Sequence, residues 1–182
     1  MSDNPRGVLT GSAEGLGRFI ALRLAADGFN IALNDLPTKY EQLNALAAEI
    51  GNLGRKTCIV QADVSEEDQM VTNAGVYYLT SFLSTSVEIW DETMQINAQG
   101  VFLCYQYAAA QMVKQGRGGR ILGASSMTGK VGTPGGVAYS ASHFTVRGLT
   151  QSAAIELCRH NITVNSYAPG LTMTPMGVFA IA

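Results

Sequence analysis

The feature that most limits what this chain can fold into is the octapeptide Thr10-Gly11-Ser12-Ala13-Glu14-Gly15-Leu16-Gly17, set between a short β-rich run and a helical pattern. Gly7 to Thr10 reads as a strand. Leu16 to Asp27 repeats apolar residues at Phe19, Ile20, Leu22, Leu24 and Ala25 before stopping at Gly28. A strand that turns through glycines directly into a helix opens a crossover unit, and the next segments keep the alternation. Asn30 to Asn34 predicts a second strand. Thr38 to Ile50 predicts a helix with Leu43, Leu46, Ala47 and Ile50 on one face, and Thr57 to Gln61 a third strand. This order implies a parallel sheet covered by helices. After Asp63 and the acidic patch Glu66, Glu67 and Asp68 the rhythm fails. It resumes as a helical stretch from Ser86 to Gln115, whose weakly charged middle, Val101 to Val113, suits a doubly buried helix. A strand from Arg120 to Ser125, a turn at Gly135-Gly136, a helix from Val137 to Arg159 and a strand from Ile162 to Tyr167, closed by Pro169-Gly170, complete the pattern.

With 182 residues, 47% of them hydrophobic and 14% charged, the chain can bury one substantial core, so a single domain over residues 1–182 is expected. The net charge of −2 and the scattered Lys and Arg residues offer no surface to a polyanion, which argues against nucleic acid. Polar residues such as Asn97, Gln99, Gln106 and Gln111 interrupt the most apolar helical stretch, so no membrane span is expected. No charged leader with an apolar stretch opens the sequence, and a cytoplasmic location follows as the expectation. Cys58, Cys104 and Cys158 lie far apart without metal spacing and read as buried free thiols, with no metal site.

The glycine loop has its own chemistry. Gly11 permits a tight turn, Gly15 lets the backbone approach a pyrophosphate, and Gly17 lets the helix pack closely, while the helix amino terminus faces the anion. Asp35, eighteen positions after Gly17, closes the second predicted strand, where a carboxylate can accept hydrogen bonds from both adenosine ribose hydroxyls and repel a 2′-phosphate. Glu14 adds negative charge, and no Arg or Lys stands beside Asp35. NAD(H) is therefore favoured over NADP(H). Toward the other end, Tyr139 and His143 fall one turn apart on one face of a predicted helix, and Ser126 precedes Tyr139 by thirteen positions at a strand end. A phenol beside a serine hydroxyl suits proton exchange with a carbonyl during hydride transfer.

Taken together, TGSAEGLG, Asn73-Ala74-Gly75, Asn97 in QINAQG, Ser126, Tyr139 and PGLTMTPM resemble, in order and over nearly the whole chain, the short-chain dehydrogenase/reductase family. The similarity is to its simple soluble form, which includes acetoin/diacetyl reductases and 3-oxoacyl carrier-protein reductases. The resemblance implies a Rossmann-type doubly wound parallel sheet with helices on both faces. It implies that Gly11, Ser12, Gly15, Leu16 and Gly17 hold the cofactor, with Asp63 and Val64 near the adenine and Asn73, Ala74 and Gly75 steadying the sheet beside it. Ser126 would position the substrate oxygen, Tyr139 exchange the proton and Asn97 hold a relay water. Pro169, Gly170, Thr172 and Thr174 would cover the nicotinamide.

Three departures qualify the resemblance. Where the family has a lysine four residues after its tyrosine, this chain has His143, an imidazole mostly neutral at pH 7 and too short to be sure of the nicotinamide ribose. Only nine residues separate Asp63 from Asn73, too few for a crossover helix and the fourth strand, which the family order 3-2-1-4-5-6 puts in the middle of the sheet. The chain also ends soon after PGLTMTPM, so the last strand and the substrate-covering helices are expected to be absent, as in a truncated isoform. The expected activity is hydride transfer between NAD(H) and a small ketone, diketone or secondary alcohol. An impaired pseudoenzyme that binds NAD(H), and a subunit pairing with itself or a full-length relative through the helices around Val101 and Val146, stay open beside it.

Overall fold

The computed structural model describes residues 5–61 and 73–174, and the chain divides into two compact units, Met1–Asp63 and Val64–Ala182. In the first unit β1 (Arg6–Leu9), α1 (Gly15–Ala26), β2 (Asn30–Asp35), α2 (Tyr40–Asn52) and β3 (Thr57–Gln61) alternate as the sequence pattern requires. The sheet is parallel, in the order β1-β2-β3, with Leu9 paired to Leu33 and Leu33 to Ile59. Those residues face α1 and α2, and Ala21, Leu43, Leu46 and Ile50 are fully buried against them. The alternate strand positions face the other way: Val8 is 55% and Val60 42% exposed. Phe19, expected on the packed face of α1, is 65% exposed, because the small residues Gly17, Ala21 and Ala25 make the close contact instead. Pro37–Lys39 forms a separate short turn of 3₁₀ helix before α2.

The second unit contains α3 (Val87–Met94), a π-helical segment (Gln95–Gln99), α4 (Gly100–Gln115), β4 (Gly119–Ala124), α5 (Val137–Leu157) and β5 (Ile162–Tyr167). The hydroxyl of Ser86 caps α3 by accepting from the Ile89 N–H. β4 and β5 pair in parallel from Gly119–Ile162 to Ala124–Tyr167. Val101, Tyr105, Ile121, Val146, Ile162 and Val164 form the core between this ribbon and the helices. At Gly123 a Cβ would stand 2.1 Å from the Tyr105 hydroxyl oxygen, so only glycine lets that buried ring cross the strand. Among the described residues no strand occurs between β3 and β4 in the chain, and the strands form two sheets rather than one.

Several expectations need correction. α4 is buried on one side only: Phe102, Tyr107 and Val113 are open to solvent. Val101 and Val146 are core residues, so any association through α4 and α5 must use their outward side chains. Cys104 is buried, but Cys58 and Cys158 are exposed, each lying at a strand or turn position that points away from its core. No described helix is long and apolar enough to cross a membrane, and no group of His, Cys, Asp or Glu among the described residues could hold a metal ion.

Candidate active site

In the first unit, Gly11 (φ 52°) and Gly15 (φ 57°) take up left-handed backbone conformations that a side chain would strain. Ser12 locks the turn to β2 by donating both its N–H (3.0 Å) and its hydroxyl (2.9 Å) to the Asn34 carbonyl. Asp35 holds the loop from the other side, one carboxylate oxygen accepting from the Ala13 N–H and the other from the Leu36 N–H, each at 2.9 Å. Glu14, the residue preceding α1, makes no side-chain cap. The first-turn N–H groups of Gly15, Leu16 and Gly17 are therefore not covered by a cap, the condition under which a helix start receives an anion. This arrangement fits a pyrophosphate. One electrostatic expectation is revised: Lys39, from the turn after β2, reaches the loop and pairs with Glu14 at 3.0 Å, so a cation does stand in this neighbourhood. Asp63 and Val64 lie outside the described residues.

In the second unit, Ser126 follows β4, and its hydroxyl accepts from the Thr128 N–H at 3.2 Å and lies close enough to Tyr139, in the first turn of α5, to act on the phenol. Burial pushes the Tyr139 hydroxyl above the ordinary phenol range; the neighbouring Ser126 hydroxyl opposes that rise and the charge of Tyr77 adds to it. His143 lies one turn on, its ring 4.3 Å from that of Tyr139 at 71°. Only 6% exposed, and with neither ring nitrogen hydrogen-bonded, it is driven by burial down to about 4. This side chain is a neutral wall and does not provide the cation that would grip a ribose.

Asn97 sits 1% exposed in the π-helical segment, the kind of helix defect often found at functional sites. Its side-chain oxygen accepts from the Val76 N–H (2.8 Å), while its amide donates to the Val76 carbonyl (2.9 Å) and to the Ser142 hydroxyl (3.3 Å). Both amide hydrogens are thus engaged, and the side chain acts as a tether for the strand-like segment after Asn73, Ala74 and Gly75. Gly75 passes so close that an added Cβ would lie 3.3 Å from the Asn97 oxygen. Asn73 in turn accepts a hydrogen bond from the Tyr167 hydroxyl at the end of β5. Burial lifts Tyr167 to about 12, with the neighbouring Tyr139 adding to the shift. The Pro169 carbonyl accepts from the Met127 N–H at 2.9 Å, next to Ser126, and Gly170 and Thr172 continue outward, exposed, to Thr174.

The second unit therefore brings Asn73, Gly75, Asn97, Ser126, Tyr139, His143 and Pro169 into one connected network. Tyr77, Ser142 and Tyr167 belong to it and were not singled out from sequence. Three positions after Val164 and five after Ile162, Tyr167 falls on the other face of β5 from those core residues, so the core pattern of the strand did not mark it.

Residues 7–72 and, as a separate match, 68–180 fit the family model for short chain dehydrogenases. A short-chain dehydrogenase/reductase of Armillaria gallica is 48% identical over 186 aligned positions, covering 93% of this chain and 71% of that protein. Among solved structures, acetoin dehydrogenase from Enterobacter cloacae superposes with a TM-score of 0.90 at 31% identity, covering 100% of this chain and 79% of its own. A short chain dehydrogenase from Mycobacterium paratuberculosis bound to NAD gives 0.90 at 29% identity, covering 97% and 77%. The 186 aligned positions exceed the 182 residues of the chain, so the Armillaria gallica protein carries residues that this chain lacks within the matched region. The two family matches meet at residues 68–72, inside the short stretch between Asp63 and Asn73.

Proposed function

Because the chain belongs to the short-chain dehydrogenase/reductase family of oxidoreductases, we propose that it transfers a hydride between NAD(H) and a small ketone, diketone or secondary alcohol, with Tyr139 as proton donor and acceptor. The observation that carries this reading is the placement of Ser126 beside Tyr139, close enough for its hydroxyl to act on the phenol, where a strand end meets the start of a helix. The bound dinucleotide supplies the hydride. Ser126 orients the substrate oxygen and Tyr139 gives it a proton, or takes one in the reverse direction. Asn97, fully engaged with Val76 and Ser142, fixes the frame around them. Any relay water it serves would have to use the main chain of its π-helical segment. The uncapped start of α1 and the two left-handed glycines support pyrophosphate binding. Residues 73–75, Pro169, Gly170, Thr172 and Thr174 serve the nicotinamide end by analogy with the family. A cytoplasmic location and self-association through outward residues of α4 and α5 complete the proposal.

Asp35 supports NAD(H) over NADP(H): its carboxylate lies at the end of β2, and Lys39 is occupied by Glu14. We expect NADH to bind at least about tenfold tighter than NADPH, the scale of one like-charge contact near a protein surface. Equal affinities measured by titration would remove this part of the reading.

His143 favours a second reading. A buried neutral imidazole neither grips a ribose nor lowers the pKa of a phenol, so a protein that binds NADH without turnover is the specific alternative. The deciding experiment pairs thermal stabilisation by NADH with NADH oxidation across a panel of small ketones, using Tyr139→Phe as control. Stabilisation with Tyr139-dependent turnover supports the enzyme. Stabilisation without turnover supports the pseudoenzyme, and neither effect in a folded protein removes both.

A further inference from the structure

We propose that Tyr77 is a positioning residue for Tyr139, its ring and the imidazole of His143 forming the two sides of a clamp that fixes where the Tyr139 hydroxyl points. The inference rests on the reading of Tyr139 as the proton donor. The Tyr139 ring meets Tyr77 at 4.9 Å with the planes at 89°, and His143 at 4.3 Å with the planes at 71°. Both are edge-to-face contacts, the arrangement that ring quadrupoles favour. The Ser126 hydroxyl acts only on the tip of the phenol, whereas contacts on its ring also restrict its plane.

Tyr77 is itself held in place. Next to it, the N–H and the carbonyl of Val76 are both bonded by the Asn97 amide. Three residues on, the Thr80 N–H donates to the Gly135 carbonyl at 3.0 Å, and Thr80 bridges Gly136 in parallel. Gly136 is the residue before α5, and a Cβ there would stand 3.3 Å from the Tyr77 ring, so the ring rests against the main chain that launches the helix of Tyr139. The neighbouring Tyr78 interacts instead with Glu92, whose carboxylate raises the Tyr78 hydroxyl above the ordinary phenol range. The Tyr77 hydroxyl has no hydrogen-bond partner among the described residues, so the ring is the part of the side chain that matters here.

The test compares Tyr77→Phe, Tyr77→Leu and Tyr77→Ala in kcat, KM, NADH affinity and the ultraviolet titration of the Tyr139 phenol, assigned by difference from Tyr139→Phe. Tyr77→Phe should keep kcat within about twofold, and the Leu and Ala variants should lose about tenfold in kcat with NADH affinity unchanged, the scale of one aromatic contact. In Leu and Ala the Tyr139 phenol should also titrate at lower pH than in Phe, because the ring that shields it from water is gone. The proposal is overturned if Leu and Ala match the parent in kcat and in titration, or if Phe loses as much as Ala. Should Ala fail to fold, Leu against Phe makes the same comparison. Absence of turnover in both the parent and His143→Lys would sink the proposed activity, and the titration would still decide whether Tyr77 holds Tyr139.

Discussion

At the scale of single residues, His143 is the most informative side chain. Its spacing of four from Tyr139 shows in the sequence, and the two rings do meet, as helix geometry requires. Its burial does not show there, because that depends on Gly129 and Ser125 closing over the same turn: a Cβ at Gly129 would lie 2.8 Å from the His143 carbonyl. Tyr77 was invisible for the same reason, since its contact exists only once the segment from Val76 to Thr80 has been pinned at both ends. Burial has a measurable consequence. The folded-state pKa of His143 is about 4 against 6.5 for the free side chain, so the unfolded chain binds the proton first as pH falls. The stability this contributes is complete above pH 6.5 and is lost as pH drops from there toward 4. The gap corresponds to something on the order of 3 kcal/mol. Urea unfolding should therefore show a steeper loss of stability on acidification in the parent than in His143→Leu; identical slopes would contradict the burial of a neutral imidazole.

At the scale of elements, the strands from Asn30, Thr57 and Ile162 and the helices of the first unit were legible because their apolar periods are unbroken and glycines mark their ends. The π-helical segment was not, since Gln95 to Gln99 carries no pattern that separates it from an ordinary turn of helix. Its reason is tertiary: Asn97 must reach the main chain of Val76. Asn97→Ala removes that tether and leaves a partly buried N–H and carbonyl without partners. A loss of about 2–4 kcal/mol is expected from two such groups, read by chemical denaturation. An unchanged midpoint would show that the tether is not structural. The one-sided burial of α4 was missed because Phe102, Tyr107 and Val113 are as apolar as the core residues between them, and composition alone does not say which face is covered.

At the scale of the whole molecule, the shortened stretch between Asp63 and Asn73 is the main anomaly. It was readable as an arithmetic of chain length, and the two sheets among the described residues agree with it. Val8, Val60 and Leu122 are apolar strand residues left exposed, a pattern expected when a parallel sheet lacks full cover. Inserting there a helix long enough for a crossover and a fourth strand should raise the midpoint and sharpen the unfolding transition, and no change in either would mean that the short connection is adequate. The central claim, Tyr139-dependent hydride transfer held down by His143, is tested most directly by NADH oxidation with a small diketone near pH 7. The comparison is between the parent, His143→Lys and His143→Lys combined with Tyr139→Phe. The account predicts that His143→Lys gains about tenfold or more, since a neighbouring ammonium lowers a phenol by at least one pKa unit, and that Tyr139→Phe abolishes the gain. A folded, NADH-binding His143→Lys protein no faster than the parent, or one whose rate survives Tyr139→Phe, would contradict it.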